Sequence, residues 1–258
     1  MPIITLISDW SKQDYYLAMV KASILSKSQG IQIVDISHQV NPFNLSQAAF
    51  ILQNCWKRFP SGTIHLICVT TESTTERPVL CFEVSGQYFI MADNGISGIL
   101  FEEPPVQVVR IDKWKSTSAF PVPDVFVPAA VHLAQGGAIR ELGSLVNEWN
   151  RLSPIVPVVD DAVIMGSVVY IDSYRNAITN ITREMFDKTG KGRPFEIFVQ
   201  SNHYRITRIN TGYSETTSGE LLALFNSSGL LEIAICNGNA SELLNLDTRS
   251  VVRVKFLK

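Results

Sequence analysis

The chain has 258 residues, 46% apolar and 18% charged, and its 22 Lys and Arg against 24 Asp and Glu leave a net charge of −2. That length and balance belong to a globular protein of one or two domains with a sizeable core. No basic run favours nucleic acid or an anionic membrane as partner, and no apolar run is long enough to cross a bilayer.

In chain order, residues 3–8 (IITLIS) predict a buried strand. Residues 14–29 carry apolar side chains at helical spacing, with Gly30 placed to end the helix. IQIVDI (31–36) predicts a second strand. Asn44, with Gln47 three residues later, reads as a capping box before a helical run over 45–59. TIHLICV (63–69) is a third strand. This alternation of strand and helix predicts a mainly parallel sheet with covering helices. VLCFEV and YFIMA flank Ser85-Gly86 as a hairpin, and VQVVRI (106–111) adds another strand. Asp124 is placed to cap a helix that runs through Ala134 and stops at Gly136-Gly137.

Residues 151–161, RLSPIVPVVDD, hold two prolines and no clear periodicity, the mark of a linker. Beyond them the chain is mostly strand: AVIMGSVVYID, FEIFVQ, YRITRI, LLALFN, LLEIAI and VVRVKF. Short strands at such spacing predict a small barrel or sandwich. The expected organisation is an α/β nucleoside-binding domain over 1–150, a linker over 151–161 and a β-barrel domain over 162–258. Cys55, Cys68, Cys81 and Cys236 form no close pair, so neither a structural zinc nor a disulfide framework is indicated. Free thiols suit the cytoplasm. The apolar start is too short for a signal peptide and lacks basic residues.

The stretch 168–181, VVYIDSYRNAITNI, carries the strongest chemical signal. A strand runs into Asp172, Asn176 follows four residues later, and Asn180 comes after it. A carboxylate and two carboxamides at a strand end can hold a polar ligand in one orientation; the plainer reading is an Asx turn. Asp9 ends the first strand in the same way. Ser37-His38 follow the second strand, and the loop over 70–77 follows the third. In parallel α/β sheets ligands bind beyond the carboxyl ends of the strands. No phosphate-binding glycine loop follows the first strand, which argues against a dinucleotide or nucleoside triphosphate. A carboxylate there suits a diol, such as the two hydroxyls of a ribose.

Each residue also has a structural reading. Asp9 suits a helix N-cap, His38 a hydrogen-bonded turn, His65 and His132 internal structural roles, and His203 an exposed position. Arg77 is placed to pair with Glu76 or Glu72 at the surface, where a pair does little. Phe43 reads as a hydrophobic staple, or as the cover of a planar ring.

Taken together, SDWSKQDYY (8–16), DISHQVNPFNLSQAAFIL (35–52), ADNGISGIL (92–100), YIDSYRNAITNI (170–181) and NSSGLLEIAICNGNASELL (226–244) resemble the S-adenosylmethionine (SAM) hydroxide adenosyltransferases, relatives of the fluorinases and chlorinases. The resemblance is collinear and spans nearly the whole chain. It implies an α/β domain joined to a β-barrel. It also implies a homotrimer, with each ligand held between the N-terminal domain of one subunit and the C-terminal domain of the next. The implied reaction displaces methionine from C5′ of SAM, by water to give adenosine or by halide to give a 5′-halo-nucleoside, with SAM as substrate and no cofactor.

By the same resemblance, Asp9 binds both ribose hydroxyls and Phe43 lines the nucleoside pocket. Asp172 holds the methionine ammonium, Asn176 contacts the adenine edge and Ser227 binds the methionine carboxylate. Arg77 and Thr70 occupy catalytic positions. The chain departs from the family in the water-handling groups: Thr70 stands at the place of an Asp, and Pro121 at the place of a His. Ser11 and Arg175 each stand where the family usually has glycine. Three readings follow: a SAM hydrolase, possessed of weakened water activation; a protein that binds SAM or adenosine without hydrolysis; or an enzyme that uses another nucleophile such as halide.

Overall fold

The structure, a computed structural model, describes residues 1–201 and 203–257, and the chain divides into two compact units, Met1–Pro154 and Ile155–Lys258. The first unit runs β1 (Ile3–Ser8), α1 (Tyr15–Lys27), β2 (Gln32–Ser37), α2 (Leu45–Gln53), β3 (Ile64–Cys68), β4 (Val79–Val84), β5 (Gln87–Ala92), α3 (Ser97–Leu100), β6 (Gln107–Ile111), α4 (Val127–Ala134) and β7 (Gly143–Leu145).

Its sheet has the order β2-β1-β3-β5-β4-β6-β7. β1 pairs in parallel with β2 and β3, and β3 with β5, whereas β4–β5, β4–β6 and β6–β7 are antiparallel. The sheet is therefore mixed, and the expectation of a mainly parallel one is corrected. The cause is local. Ser85 (φ 51°) and Gly86 (φ 72°) make a two-residue turn of left-handed residues, which folds β5 back on β4, and the later strands add to the antiparallel edge.

Strand alternation sends Ile4, Leu6, Ile64 and Leu66 into a core with Val20 and Ile24 of α1 and Ala129 and Ala130 of α4. Ile7 and Ile67 point the other way, into a core with Ala48, Ala49 and Leu52 of α2. His65 sits inside this apolar layer, fully buried, with Thr5 Oγ1 at 2.7 Å from Nδ1 and Gln87 Oε1 at 2.7 Å from Nε2. Burial lowers its pKa to about 4, so the ring is neutral at pH 7 and structural.

Two expected caps differ. Asn44 Oδ1 accepts from Gln47 N–H at 3.0 Å, but Gln47 Oε1 reaches back to Asn41 N–H at 2.7 Å instead of closing the box on Asn44. Asp124 is no cap: it lies inside a π-helical turn, Val122–Phe126, and accepts from Ser116 Oγ at 2.8 Å. Pro128 has no N–H to return to the Asp124 carbonyl, and Val127 N–H closes the wider turn on Val122 O.

The second unit runs β8 (Val158–Val159), β9 (Val163–Ile171), β10 (Ala177–Thr182), α5 (Arg183–Gly190), β11 (Phe195–Val199), β12 (Arg205–Ile206), β13 (Leu221–Phe225), β14 (Leu230–Ile235), α6 (Ala240–Leu243) and β15 (Val251–Phe256). All pairings between its strands are antiparallel, in the order β12-β11-β15-β9-β10-β14-β13, with β8 on β9. The sheet curls to near closure, because Asn210, just past β12, donates its N–H to Ala223 O of β13 at 2.7 Å. Within 151–161, Leu152 N–H bonds Gly95 O at 2.9 Å and Val158–Val159 pairs with β9.

Candidate functional site

In the first unit, strand register gathers four loops at the carboxyl ends of the parallel strands. Ser8 lies opposite Cys68, so Asp9 stands beside the start of the loop over 70–77, and Ile7 lies opposite Ser37. Asp9 is not an N-cap, since α1 begins at Tyr15 with Asp14 in the cap position. Asp9 Oδ2 instead accepts from Phe43 N–H at 3.0 Å. The Phe43 ring is 76% exposed and its backbone is left-handed (φ 64°), so an apolar ring stands uncovered beside a carboxylate. The structure thus brings Asp9 and Phe43 together.

His38, 1% exposed, is fixed behind this edge by Ser8 Oγ at 2.7 Å from Nδ1, with Asp35 Oδ1 3.2 Å from Nε2 and Lys21 2.6 Å from Asp35. Burial outweighs Asp35 and lowers the His38 pKa, so the ring is neutral at pH 7 and braces the strand end.

Thr70 takes a left-handed conformation (φ 51°), and among the described residues its buried Oγ1 has no hydrogen-bond partner. Asn94 Nδ2 grips the Val69 and Thr70 carbonyls at 3.1 and 3.3 Å, and Asp93 N–H holds Pro78 O at 2.8 Å, so both ends of the 70–77 loop are pinned. Asp93 is itself fixed by Asn150, through its backbone N–H at 2.9 Å and its Nδ2 at 3.1 Å, and burial still raises its carboxyl pKa. Arg77 is exposed at the loop end and makes no ion pair among the described residues; its N–H bonds Thr74 Oγ1 at 3.1 Å. Trp10 packs edge-on against Phe120 at 5.1 Å, which places Pro121 near the Asp9 edge. Asn94 and Trp10 lie inside or beside the motifs quoted above, but their roles needed the register between β1, β3 and β5.

In the second unit, Asp172 directly follows β9 and Asn176 directly precedes β10. Asp172 Oδ1 accepts from Asn176 N–H at 2.8 Å, and Oδ2 from Asn176 Nδ2 at 3.2 Å. The Asx-turn reading is therefore present, and it coexists with a concavity of 550 Å³ lined by Asp172, Tyr174, Asn176, Tyr213, Ile235 and Asn237. A cavity of that size suits a small organic ligand. Asn180 does not join it: its Oδ1 accepts from Ser167 N–H at 2.8 Å and its Nδ2 bonds Ile155 O at 2.8 Å, which ties β9 and β10.

Ser227 is not brought together with Asp172 and Asn176. Ile235 and Asn237 line the cavity at the carboxyl end of β14, whereas Ser227 is exposed in the turn before its amino end. The strand between spans about 17 Å. The cavity wall that sequence reading missed is Tyr213, because it lies in a short 3-10 turn between barrel strands.

Ser11 and Arg175, at the two glycine positions of the family pattern, both have φ 66°. That conformation costs a residue with a Cβ about 1–2 kcal/mol, and glycine returns part of the gain as unfolded-chain entropy. The Arg175 side chain is exposed, so little packing is lost. Arg175→Gly is expected to stabilise the second unit by about 0.5–1 kcal/mol, read as a higher urea midpoint with an unchanged slope. A lower midpoint would show that the arginine is held by contacts worth more than the strain.

Among the described residues, no group of three or more His, Cys, Asp or Glu is placed to hold a metal ion, and no helix is long and apolar enough to cross a membrane.

Comparison with known proteins places this geometry in context. The family model for the SAM hydroxide adenosyltransferase N-terminal domain matches residues 4–143, and that for the C-terminal domain matches residues 166–253. An (R)-S-adenosyl-L-methionine hydrolase of Thermus thermophilus is 29% identical, over 96% of this chain and 97% of its own length. A Methanocaldococcus jannaschii protein of the same name is 28% identical, over 99% and 97%. A fluorinase of Actinoplanes is 24% identical, over 90% of each chain. Among solved structures, an uncharacterized conserved protein from Thermotoga maritima superposes with a TM-score of 0.88 and 27% identity, covering 99% of this chain and 100% of that one.

Proposed function

The chain belongs to the SAM hydroxide adenosyltransferase family, and on that premise we propose that it cleaves SAM at C5′ with water, releasing adenosine and methionine. Its full-length similarity to two (R)-S-adenosyl-L-methionine hydrolases supports this reading. The observation that carries it is the cavity at Asp172 and Asn176, where a carboxylate and a carboxamide already locked to each other face open space.

In the proposed reaction the water oxygen attacks C5′ as the C5′–S bond breaks. The bonding electron pair leaves on sulfur, and the water proton passes to solvent. The sulfonium is its own activated leaving group, so no cofactor is needed. Asp172 holds the methionine ammonium, Asn176 the adenine edge, and Asp9 both ribose hydroxyls, with Phe43 covering the nucleoside. Fixing both ends of the substrate sets C5′ for in-line attack, and such positioning supplies much of a rate enhancement. Arg77 and Thr70 flank the nucleophile. Ser227 is assigned to the methionine carboxylate by resemblance alone. These residues belong to two different units, and in this reading a homotrimer completes each site from neighbouring subunits. SAM or adenosine is the ligand partner, and the free thiols fit a cytoplasmic protein.

One observation favours a second reading. Among the described residues, Thr70 Oγ1 is buried without a partner, at the place where the family resemblance implies an Asp, and such a hydroxyl suits an anion better than it suits deprotonating water. Purified protein incubated with SAM, with and without chloride, separates the readings by chromatography. Adenosine and methionine at a catalytic rate support hydrolysis, and 5′-chloro-nucleoside supports the anion. SAM retained without turnover means a binding protein.

A further inference from the structure

Glu232 is a carboxylate in the middle of β14, 2% exposed, with β10 on one side and β13 on the other. A buried carboxylate is costly unless its oxygens are satisfied. Here each oxygen has a separate duty. Oε1 accepts from the Tyr213 hydroxyl at 2.7 Å, and Oε2 accepts from Asn226 Nδ2 at 3.2 Å. The two partners belong to different segments. Tyr213 lines the cavity with Asp172 and Asn176, its ring half-exposed. Asn226 shapes the turn that carries Ser227, with Oδ1 accepting from Ser228 N–H at 3.0 Å and Leu230 N–H at 3.2 Å.

We propose that Glu232 is a positioning residue that fixes, through Tyr213, the tyrosine wall of the cavity against substrate, and ties that wall through Asn226 to the turn before β14. The inference rests on the SAM-cleaving reading, since it gives the cavity its ligand. Burial and the Glu232 hydrogen bond both raise the Tyr213 pKa, which keeps its phenol protonated as donor throughout the neutral range.

The chemistry predicts which substitution the site tolerates. Asn226 cannot flip its amide, because Oδ1 already serves two backbone N–H groups. In Glu232→Gln the new carbonyl accepts from Asn226 and the new amide donates to the Tyr213 oxygen, which has a free lone pair. Both segments stay held without the charge. In Glu232→Leu neither is held.

The test measures SAM and adenosine affinity by calorimetry, with KM and kcat where turnover occurs, in wild type, Glu232→Gln, Glu232→Leu and Tyr213→Phe. Glu232→Leu is expected to weaken SAM binding about tenfold or more, with KM rising in step and kcat changing less. Glu232→Gln is expected to stay within about threefold of wild type, and Tyr213→Phe to fall between. Ultraviolet titration supplies a readout independent of ligand: the difference between wild type and Tyr213→Phe assigns the Tyr213 phenol, which is expected to titrate lower in Glu232→Leu than in wild type while staying raised by burial. A folded Glu232→Leu protein with unchanged affinity overturns the positioning role. So does a glutamine variant as damaged as leucine, which would make charge the agent. Wild-type protein that binds neither SAM nor adenosine overturns the functional reading itself, and the positioning role with it.

Discussion

Asp172→Asn is expected to weaken SAM binding about thirtyfold while leaving adenosine binding within about threefold. Removing one partner of a hydrogen-bonded charge pair costs about 2–5 kcal/mol when the pair is buried. Asp172 is half-exposed, so the lower end applies. The asparagine keeps an oxygen to accept the Asn176 N–H that now bonds Oδ1 at 2.8 Å, so the turn's backbone bond survives, while the charge opposite the ammonium and the acceptor for Asn176 Nδ2 are lost. Adenosine carries no ammonium, which makes it the internal control. Asp172→Ala removes the turn bond as well, and is expected to lose about 1 kcal/mol of stability besides affinity. Equal losses for SAM and adenosine in the asparagine variant would move Asp172 from ligand to scaffold. Unchanged SAM affinity in both variants would remove it from the site.

That experiment matters because the geometry of Asp172 was only half legible in the sequence. A strand running into Asp172 with Asn176 four residues later predicts both a turn and a ligand site, and spacing alone does not choose. The structure contains the turn and, facing the same carboxylate, an open cavity. Asn180 looked like a third member because it shares the motif. Strand alternation turns it toward Ser167, where it splices β9 to β10. Ser227 was assigned to the methionine carboxylate by resemblance alone; its turn precedes the amino end of β14, whereas the cavity residues Ile235 and Asn237 stand at the carboxyl end.

The fold was read best where hydrophobic periodicity has one physical outcome. The apolar runs at 3–8 and 63–69 became β1 and β3 because strands buried on both faces need no polar alternation. The failure came at β4 and β5. The Ser85-Gly86 turn announces an antiparallel hairpin, and one hairpin inserted after β3 gives every later strand an antiparallel edge to join. Asp124 misled because a carboxylate before an apolar run is a cap signal only if the following backbone can form a regular ladder, and Pro128 prevents that. The glycine departures at Ser11 and Arg175 were visible in sequence, yet their meaning was not. Only the structure shows that both positions are left-handed, with φ 66°, the conformation that glycine adopts without strain.

The backbone at Thr70 and Pro121 makes the water-handling edge testable by introducing the Asp and His that the family resemblance implies there. Thr70→Asp with Pro121→His is expected to raise the rate of adenosine release by about a hundred- to ten-thousandfold, the usual contribution of general acid–base assistance. The backbone is ready for both. Thr70 is held by its carbonyl, through Asn94, and its φ of 51° suits an aspartate better than a β-branched threonine. Pro121 contributes its carbonyl to Asp124 and Val125 N–H groups at 3.2 and 2.8 Å, a role any residue fills, and its φ of −77° is ordinary for histidine. The new carboxylate would stand where Thr70 Oγ1 is now buried and unpartnered among the described residues, beside the loop that ends in Arg77. Single-turnover measurement of adenosine against pH separates the outcomes. A gain that appears with the double variant, and titrates with the introduced groups, identifies lost water activation as the limit in this chain. No gain, with SAM affinity intact, means that the pocket no longer presents C5′ to that edge, and the nucleophile then has to be sought among anions that the threonine hydroxyl can hold.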